Sequence, residues 1–258
     1  MIPYYPQPVL HLGRFSIHAF GVLGALAVVV AFWIILQRSR RMGIPVEEMF
    51  QFICCMYFCG MAGAFFASTI MSDPHAFLAD PGRIFHVAVG IRSSGGLIGG
   101  FVAGLAWCAF RRLSPYEILR RLDVAAYALP AAWMIGRLGC TLAHDHRGLA
   151  TTSWIAVNFP EGPRYDLGLI EFLFLIVLTA AFWILDRRPR PVGFFVGLFA
   201  VVYGGFRMWL DTLHIQPLRF YSGGLAVVIG LLVWMAMRAF ARSRAQVEVA
   251  PAATVIGA

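Results

Sequence analysis

The chain has 258 residues, of which 60% are hydrophobic and only 13% charged, and its formal net charge is +8. Soluble domains carry about 25% charged residues, so this composition excludes an ordinary soluble domain and is typical of a polytopic membrane protein. All 21 basic residues are arginines, and because they follow a topological pattern we expect no nucleic-acid partner.

Seven apolar runs predict an all-α fold with about seven transmembrane helices, since a spanning helix needs about 20 apolar residues. The runs lie near 17–37, 50–71, 95–110, 122–143, 168–186, 192–210 and 222–241. We therefore expect a single transmembrane helical domain over residues 1–241. The small, unpatterned residues of 242–258 predict a disordered tail.

The distribution of arginines predicts the orientation of the helices. Thirteen arginines fall in the connections after the first, third, fifth and seventh runs, whereas six fall on the opposite side. Because cytoplasmic connections carry the excess of basic residues, we expect the N-terminus outside and the C-terminus in the cytoplasm. The longer connections, near 71–94 and 144–167, then lie outside, and long loops on one face usually carry the function.

Two further arginines lie within apolar runs. A charge inside the bilayer costs at least ~2.5 kcal/mol, so Arg137 and Arg207 require partners or a polar cavity. Glu171 and Asp211 are candidate partners, the latter four residues after Arg207 on the same helix face. One interpretation is that the arginines only pair with these carboxylates. The other is that both face a lipid phosphate, which a guanidinium matches with two parallel hydrogen bonds, and that Tyr203 shapes the pocket.

The segment "HDHRG" at 144–148 supplies titratable groups at the predicted outer boundary. Histidine as a residue type titrates near neutral pH, so His144 and His146 are candidate general bases, as are Asp145 and the more distant His18. A solvated loop without chemistry is the alternative. We predict no metal, because adjacent residues seldom converge on one ion and the sequence contains no second cluster of potential ligands. We also predict no cofactor.

The segment "RSSGGLIGG" at 92–100 combines small residues with glycines immediately before a helix. Ser94, Gly95 and Gly96 allow the backbone to approach either a ligand or a neighbouring helix closely. The pattern alone does not choose between these two roles.

Several segments, in this order, resemble the prolipoprotein diacylglyceryl transferase family. They are "IHAFG" at 17–21, "DPGRIF" and "SSGGLIGG" at 80–100, "GRLGCTLAHDHRG" at 136–148, and "RPRPVGFFVGLFAVVYGGFR" at 188–207. The resemblance implies transfer of a diacylglyceryl group from phosphatidylglycerol to the lipobox cysteine thiol in a prolipoprotein signal peptide. It also implies a multi-pass protein of the bacterial inner membrane, with its active site towards the periplasm.

Residue chemistry and the resemblance together lead us to expect roles for the residues singled out above. Catalytic roles are expected for Arg137, Arg207, His144, Asp145, His146 and His18. Substrate contacts are expected for Arg137, Arg207, Tyr203, Glu171, Gly95, Gly96, Gly148 and Ser94.

The chain departs from the family pattern at several polar positions. Cys140 and Ala143 replace motif asparagines, Asp145 replaces a glutamate, Phe20 replaces a tyrosine and Ser94 replaces a histidine. These departures leave two alternatives open: an enzyme of the same fold with another lipid or acceptor, and a non-catalytic lipid-binding protein or transporter. The sequence does not identify the general base, the acceptor specificity or the oligomeric state.

Overall fold

The computed structural model describes residues 1–13, 15–72, 82, 93–215, 224 and 226–235. The described chain is mostly helical, and each predicted apolar run overlaps a helix. The helices are α1 Ala19–Arg41, α2 Val46–Ser72, α3 Ser93–Phe110, α4 Pro115–Ala143, α5 Leu167–Leu185, α6 Phe194–Asp211 and α7 Ala226–Met235. The predicted tail and nearly all of the predicted loop at 71–94 lie outside the described residues.

Four of these helices, α1, α2, α5 and α6, are long and apolar enough to cross a membrane. Two shorter apolar helical segments are Gly95–Phe110 within α3 and Ala226–Met235, the described part of α7. Helix α4 has 29 residues but is less apolar because it contains charged side chains, among them Asp123 and Arg137. The fold is therefore that of a membrane protein with four candidate spans among the described residues.

Short strands, which the all-α prediction missed, lie at the chain start and between α4 and α5. They are β1 Ile2–Pro3, β2 Val9–Leu12, β3 Phe15–His18, β4 Arg147–Ala150, β5 Val157–Phe159 and β6 Gly162–Asp166. Strands β2 and β3 form an antiparallel hairpin, and the other four form a sheet in the order β1-β5-β6-β4. Half of the residues in the predicted outer loop at 144–167 thus lie in strands of this sheet.

The described chain divides into two units, and the second comprises residues 36–121. Its α2 and α3 approach so closely that a Cβ built on Gly95 would lie 2.3 Å from Ala67 Cβ and 2.4 Å from Gly63 O. A Cβ on Gly99 would likewise lie 2.8 Å from Cys59 O. The glycines of α3 are therefore required for backbone contact between two helices, as is common in membranes.

The first unit comprises residues 1–35 and 122–258, and its core lies among α4, α5 and α6. Leu175, Phe182 and Phe195 are nearly fully buried there. The buried Asp123 of α4 accepts hydrogen bonds from Phe195 N at 2.7 Å and Val196 N at 3.0 Å. This carboxylate satisfies backbone donors at the start of α6, which otherwise lack intrahelical partners, and thereby fixes α6 against α4.

Candidate active site

Arg137 and Arg207, which are distant in sequence, meet at one carboxylate. Glu171 Oε1 lies 3.0 Å from Arg137 Nε, and Glu171 Oε2 accepts a hydrogen bond from Arg207 Nη1 at 3.1 Å. The Arg137 contact is an ion pair without hydrogen-bond alignment. Glu171 is 1% exposed, so α4, α5 and α6 each contribute one charged side chain to a buried cluster.

Two more polar side chains complete this arginine cluster. Tyr203 donates its hydroxyl hydrogen to Glu171 Oε1 at 2.6 Å, and Arg207 Nε pairs with Asp211 Oδ1 at 2.9 Å. The sequence prediction that Glu171 and Asp211 are partners of the arginines is confirmed. What it did not predict is that a single carboxylate serves both guanidinium groups.

The cluster retains donors for a ligand. Its two arginines and two carboxylates are formally neutral together, and each guanidinium has five N–H donors. Within the described part of the chain, Nη2 of Arg137 and Nη2 of Arg207 make no hydrogen bond. The carboxylates therefore hold the two guanidinium groups in place without using all their donors.

Close backbone contacts position α4 relative to α1 and α5. A Cβ on Gly139 would lie 3.3 Å from the ring of Phe20, and one on Gly168 would lie 3.2 Å from Thr141 N. Thr141 also donates its hydroxyl to Arg137 O at 2.9 Å. The turn of α4 that carries Arg137 is therefore packed against the first turns of both neighbouring helices.

His144 makes contacts at the junction between α4 and α5. Its Nδ1 lies 2.6 Å from Asp166 Oδ2, and Asp166 caps the N-terminus of α5 by accepting from Leu169 N at 3.1 Å. The ring also packs against Tyr4 and Phe159. Burial raises the pKa of Asp166, and the hydrogen bond from His144 opposes that rise. His144 thus connects the end of α4 to the start of α5, and its predicted catalytic role stays a prediction.

His146 and Asp145 form a separate group with Cys140. His146 Nδ1 is hydrogen-bonded to Asp145 Oδ1, and this bond, together with one that the ring donates to Cys140, raises the pKa of His146 to about 9. The groups around this ring therefore attract positive charge. Arg137 Nη1 donates to Cys140 Sγ at 3.7 Å. Cys140 consequently lies between the arginine cluster and the His146–Asp145 pair, a role that sequence reasoning missed although the position departs from the family motif.

An open groove of about 740 Å³ runs along the β2–β3 hairpin and the start of α1. His18, Phe20, Ala143 and Asp145 are among its lining residues. His18 and Asp145, both predicted as catalytic, thus line one cavity. Their participation in proton transfer stays a prediction.

The remaining predicted contacts are placed as follows. Gly95 and Gly96 lie in α3, where the contact with α2 accounts for Gly95, and a substrate contact at either residue stays a prediction. The side chain of Ser94 lies outside the described residues. A Cβ on Gly148 would lie 2.8 Å from Leu213 O, so this glycine allows the chain after α6 to pair with β4.

Comparison with known proteins identifies the family. The family model described as prolipoprotein diacylglyceryl transferase matches residues 7–242. A phosphatidylglycerol–prolipoprotein diacylglyceryl transferase of Pseudoalteromonas atlantica is 28% identical over 234 residues, covering 88% of this chain and 82% of that relative. Proteins of the same name from Mannheimia succiniciproducens and Pseudomonas putida are each 29% identical. The aligned regions cover 81% and 83% of this chain, and 80% and 83% of the two relatives, respectively.

Proposed function

The chain belongs to the prolipoprotein diacylglyceryl transferase family, and from this membership we propose that it transfers the diacylglyceryl group of phosphatidylglycerol to a prolipoprotein cysteine. The acceptor is the lipobox cysteine of the signal peptide, and the product is a thioether. The observation that carries the proposal is the pair of guanidinium groups held on the buried Glu171.

The reaction places particular demands on this cluster. The acceptor thiolate attacks the glyceryl carbon, the carbon–oxygen bond to the phosphate breaks, and its electron pair leaves with the phosphate as glycerol 1-phosphate. Negative charge therefore increases on the phosphate oxygens during the step. Donors fixed in advance at that position stabilise the transition state, and the Nη2 groups of Arg137 and Arg207 are available for it.

The membrane arrangement follows from the sequence and is part of the proposal. We propose seven spans, the N-terminus outside, the C-terminus in the cytoplasm, and a site facing the periplasm of a bacterial inner membrane. The excess of arginines after odd-numbered spans supports this orientation. Reporter fusions after residue 241 and within 151–156 should report cytoplasmic and periplasmic locations respectively, and the reverse result would refute it.

The activity is tested with the purified full chain, radiolabelled phosphatidylglycerol and a lipobox peptide. We expect the label on the peptide cysteine, and a loss of at least about 100-fold on Arg137→Ala or Arg207→Ala, the scale on which lost transition-state donors act. The matched control is Arg147→Ala, because that arginine pairs with Glu161 at the surface. Folded protein that leaves a matched peptide unmodified would refute the proposal. Release of glycerol phosphate without peptide modification would favour another acceptor.

A further inference from the structure

Three side chains that can bind metals converge beside the arginine cluster. Cys140, Asp145 and His146 each place one potential ligand atom within 4.8 Å of the other two. Cys140 and Asp145 are positions where this chain departs from the family motif, and His146 is an additional ionisable residue between motif positions. Substitutions that look unrelated along the sequence therefore produce one mixed sulfur, oxygen and nitrogen group in the fold.

The local backbone explains how adjacent residues reach one point. Helix α4 ends at Ala143, and His144 has a φ of +51°, in the left-handed region. Non-glycine residues seldom adopt this conformation, and the bond from His144 to Asp166 holds it here. The chain consequently reverses, and residues 145 and 146 return towards Cys140. The sequence argument against a metal assumed a regular element, which the structure does not have at this position.

The charges of the group suit a divalent cation. A thiolate and a carboxylate supply two negative charges, which balance Zn²⁺. The guanidinium of Arg137 donates a hydrogen bond to Cys140 Sγ at 3.7 Å. The positive charge of Arg137 is itself matched by Glu171 at 3.0 Å.

We propose that Cys140, Asp145 and His146 bind a zinc ion whose remaining coordination position receives the thiol of the acceptor cysteine. Three protein ligands with one open position are typical of catalytic zinc sites. Asp145 also lines the open groove, which gives an acceptor a path to the ligands. The inference concerns the substrate of the proposed transferase and rests on that function.

The zinc ion would supply the nucleophile. A coordinated thiol loses its proton readily, because the metal stabilises the thiolate. That proton goes to water. The sulfur electron pair then forms the carbon–sulfur bond as the carbon–oxygen bond breaks, and the phosphate leaves with the electron pair of that bond. This chain has Ser94 where the family motif has a histidine, so metal coordination provides a thiolate without a base at that position.

Metal analysis of the full chain in detergent tests the site independently of activity. We expect about one zinc per chain after dialysis, the single ion that this ligand set can hold. Cobalt substitution should give a sulfur-to-metal charge-transfer band, and adding a lipobox peptide should shift it. Cys140→Ser and His146→Gln should weaken zinc binding by more than the ~10–100-fold typical of an outer-shell partner. Cys59→Ser, which changes an exposed thiol, should leave it unchanged.

The outcomes separate the zinc site from the transferase. Zinc bound as tightly by folded Cys140→Ser and His146→Gln as by the parent would overturn the site. Full transfer to the peptide by zinc-free protein would also overturn it, while leaving the transferase intact. Stoichiometric zinc that depends on both residues, in protein without transfer activity, would support the site and refute the proposed function instead.

Discussion

Glu171 provides the most direct test of the arginine cluster, because Glu171→Gln preserves its shape and removes its charge. In the parent protein this side chain contacts Arg137, Tyr203 and Arg207 within 3.1 Å and is 1% exposed. After the substitution, Arg207 keeps Asp211 at 2.9 Å. Arg137 keeps only the sulfur of Cys140 among the described residues. Arg137 is therefore the residue that loses most of its charge compensation in Glu171→Gln.

Leaving one member of a buried ion pair without its partner costs about 3–5 kcal/mol. For a chain of this size each kcal/mol lowers the unfolding temperature by about 2–4 °C, so a decrease of roughly 6–20 °C is expected. Thermal unfolding in detergent micelles, followed by intrinsic fluorescence, measures it. Tyr203→Phe removes one hydrogen bond to Glu171 and should cost about 1 kcal/mol, which gives a graded reference.

A double-mutant cycle identifies the cause. If the cost arises from the uncompensated guanidinium, then Glu171→Gln combined with Arg137→Gln should be more stable than Glu171→Gln alone. Equal stability of the single variant and the parent would refute the argument. So would a double variant no more stable than the single variant, because the loss would then not come from the unmatched charge of Arg137.

Three further predictions concern other parts of the fold. Gly95→Ala should lower the unfolding temperature, because its Cβ would meet Ala67 and Gly63 and overpacking costs about 1–3 kcal/mol; Gly24→Ala, which meets open space, should not. Asp166→Ala removes the cap of α5 and the partner of His144, so it should cost more than the ~1 kcal/mol of a cap alone. Asp166→Asn should recover the cap but not the second carboxylate oxygen that His144 contacts. Burial, aided by the charge of Arg207, lowers the pKa of His214 below its usual 6.5. As the pH falls, His214 therefore takes up a proton in the unfolded chain before it does so in the folded protein. The stabilisation that His214 contributes above pH 6.5 should be lost as the pH falls through the lower folded pKa, and His214→Asn should lose less. A pH series of unfolding temperatures in which both proteins behave alike would contradict this.

The sequence predicted the helices well because the apolar runs are long, and a bilayer permits few other structures for such runs. It also predicted the partners of Arg137 and Arg207, since an unpaired charge in an apolar run is costly. The strands were missed for an opposite reason. Strands β4, β5 and β6 have only three to five residues, and their mixed polar sequence has no clear alternation. The chain start adds a further strand, because β1 pairs with β5, and no local pattern records this contact.

For a related reason, no local sequence pattern predicts which side chains of this region meet in the fold. That His144 binds Asp166, while its neighbour His146 turns towards Cys140, depends on the left-handed conformation at residue 144. That one carboxylate serves two arginines depends on the packing of α4, α5 and α6. The sequence identified the right residue types within this region. It could not assign them to the His144–Asp166 contact, the arginine cluster or the group that contains Cys140.

The neutrality of the arginine cluster bears on how the proposed transferase would use it. Two guanidinium groups alone would bind the phosphate of the intact lipid tightly, and such uniform binding does not accelerate the chemical step. Glu171 and Asp211 offset the positive charge, so they weaken attraction for the singly charged ground state. The guanidinium donors keep their direction, and their hydrogen bonds to the phosphate strengthen most when the departing phosphate acquires its second negative charge. Because Glu171 is buried and fixed by Tyr203, the cluster needs little rearrangement at that moment, and its stabilisation is directed to the transition state rather than to lipid binding.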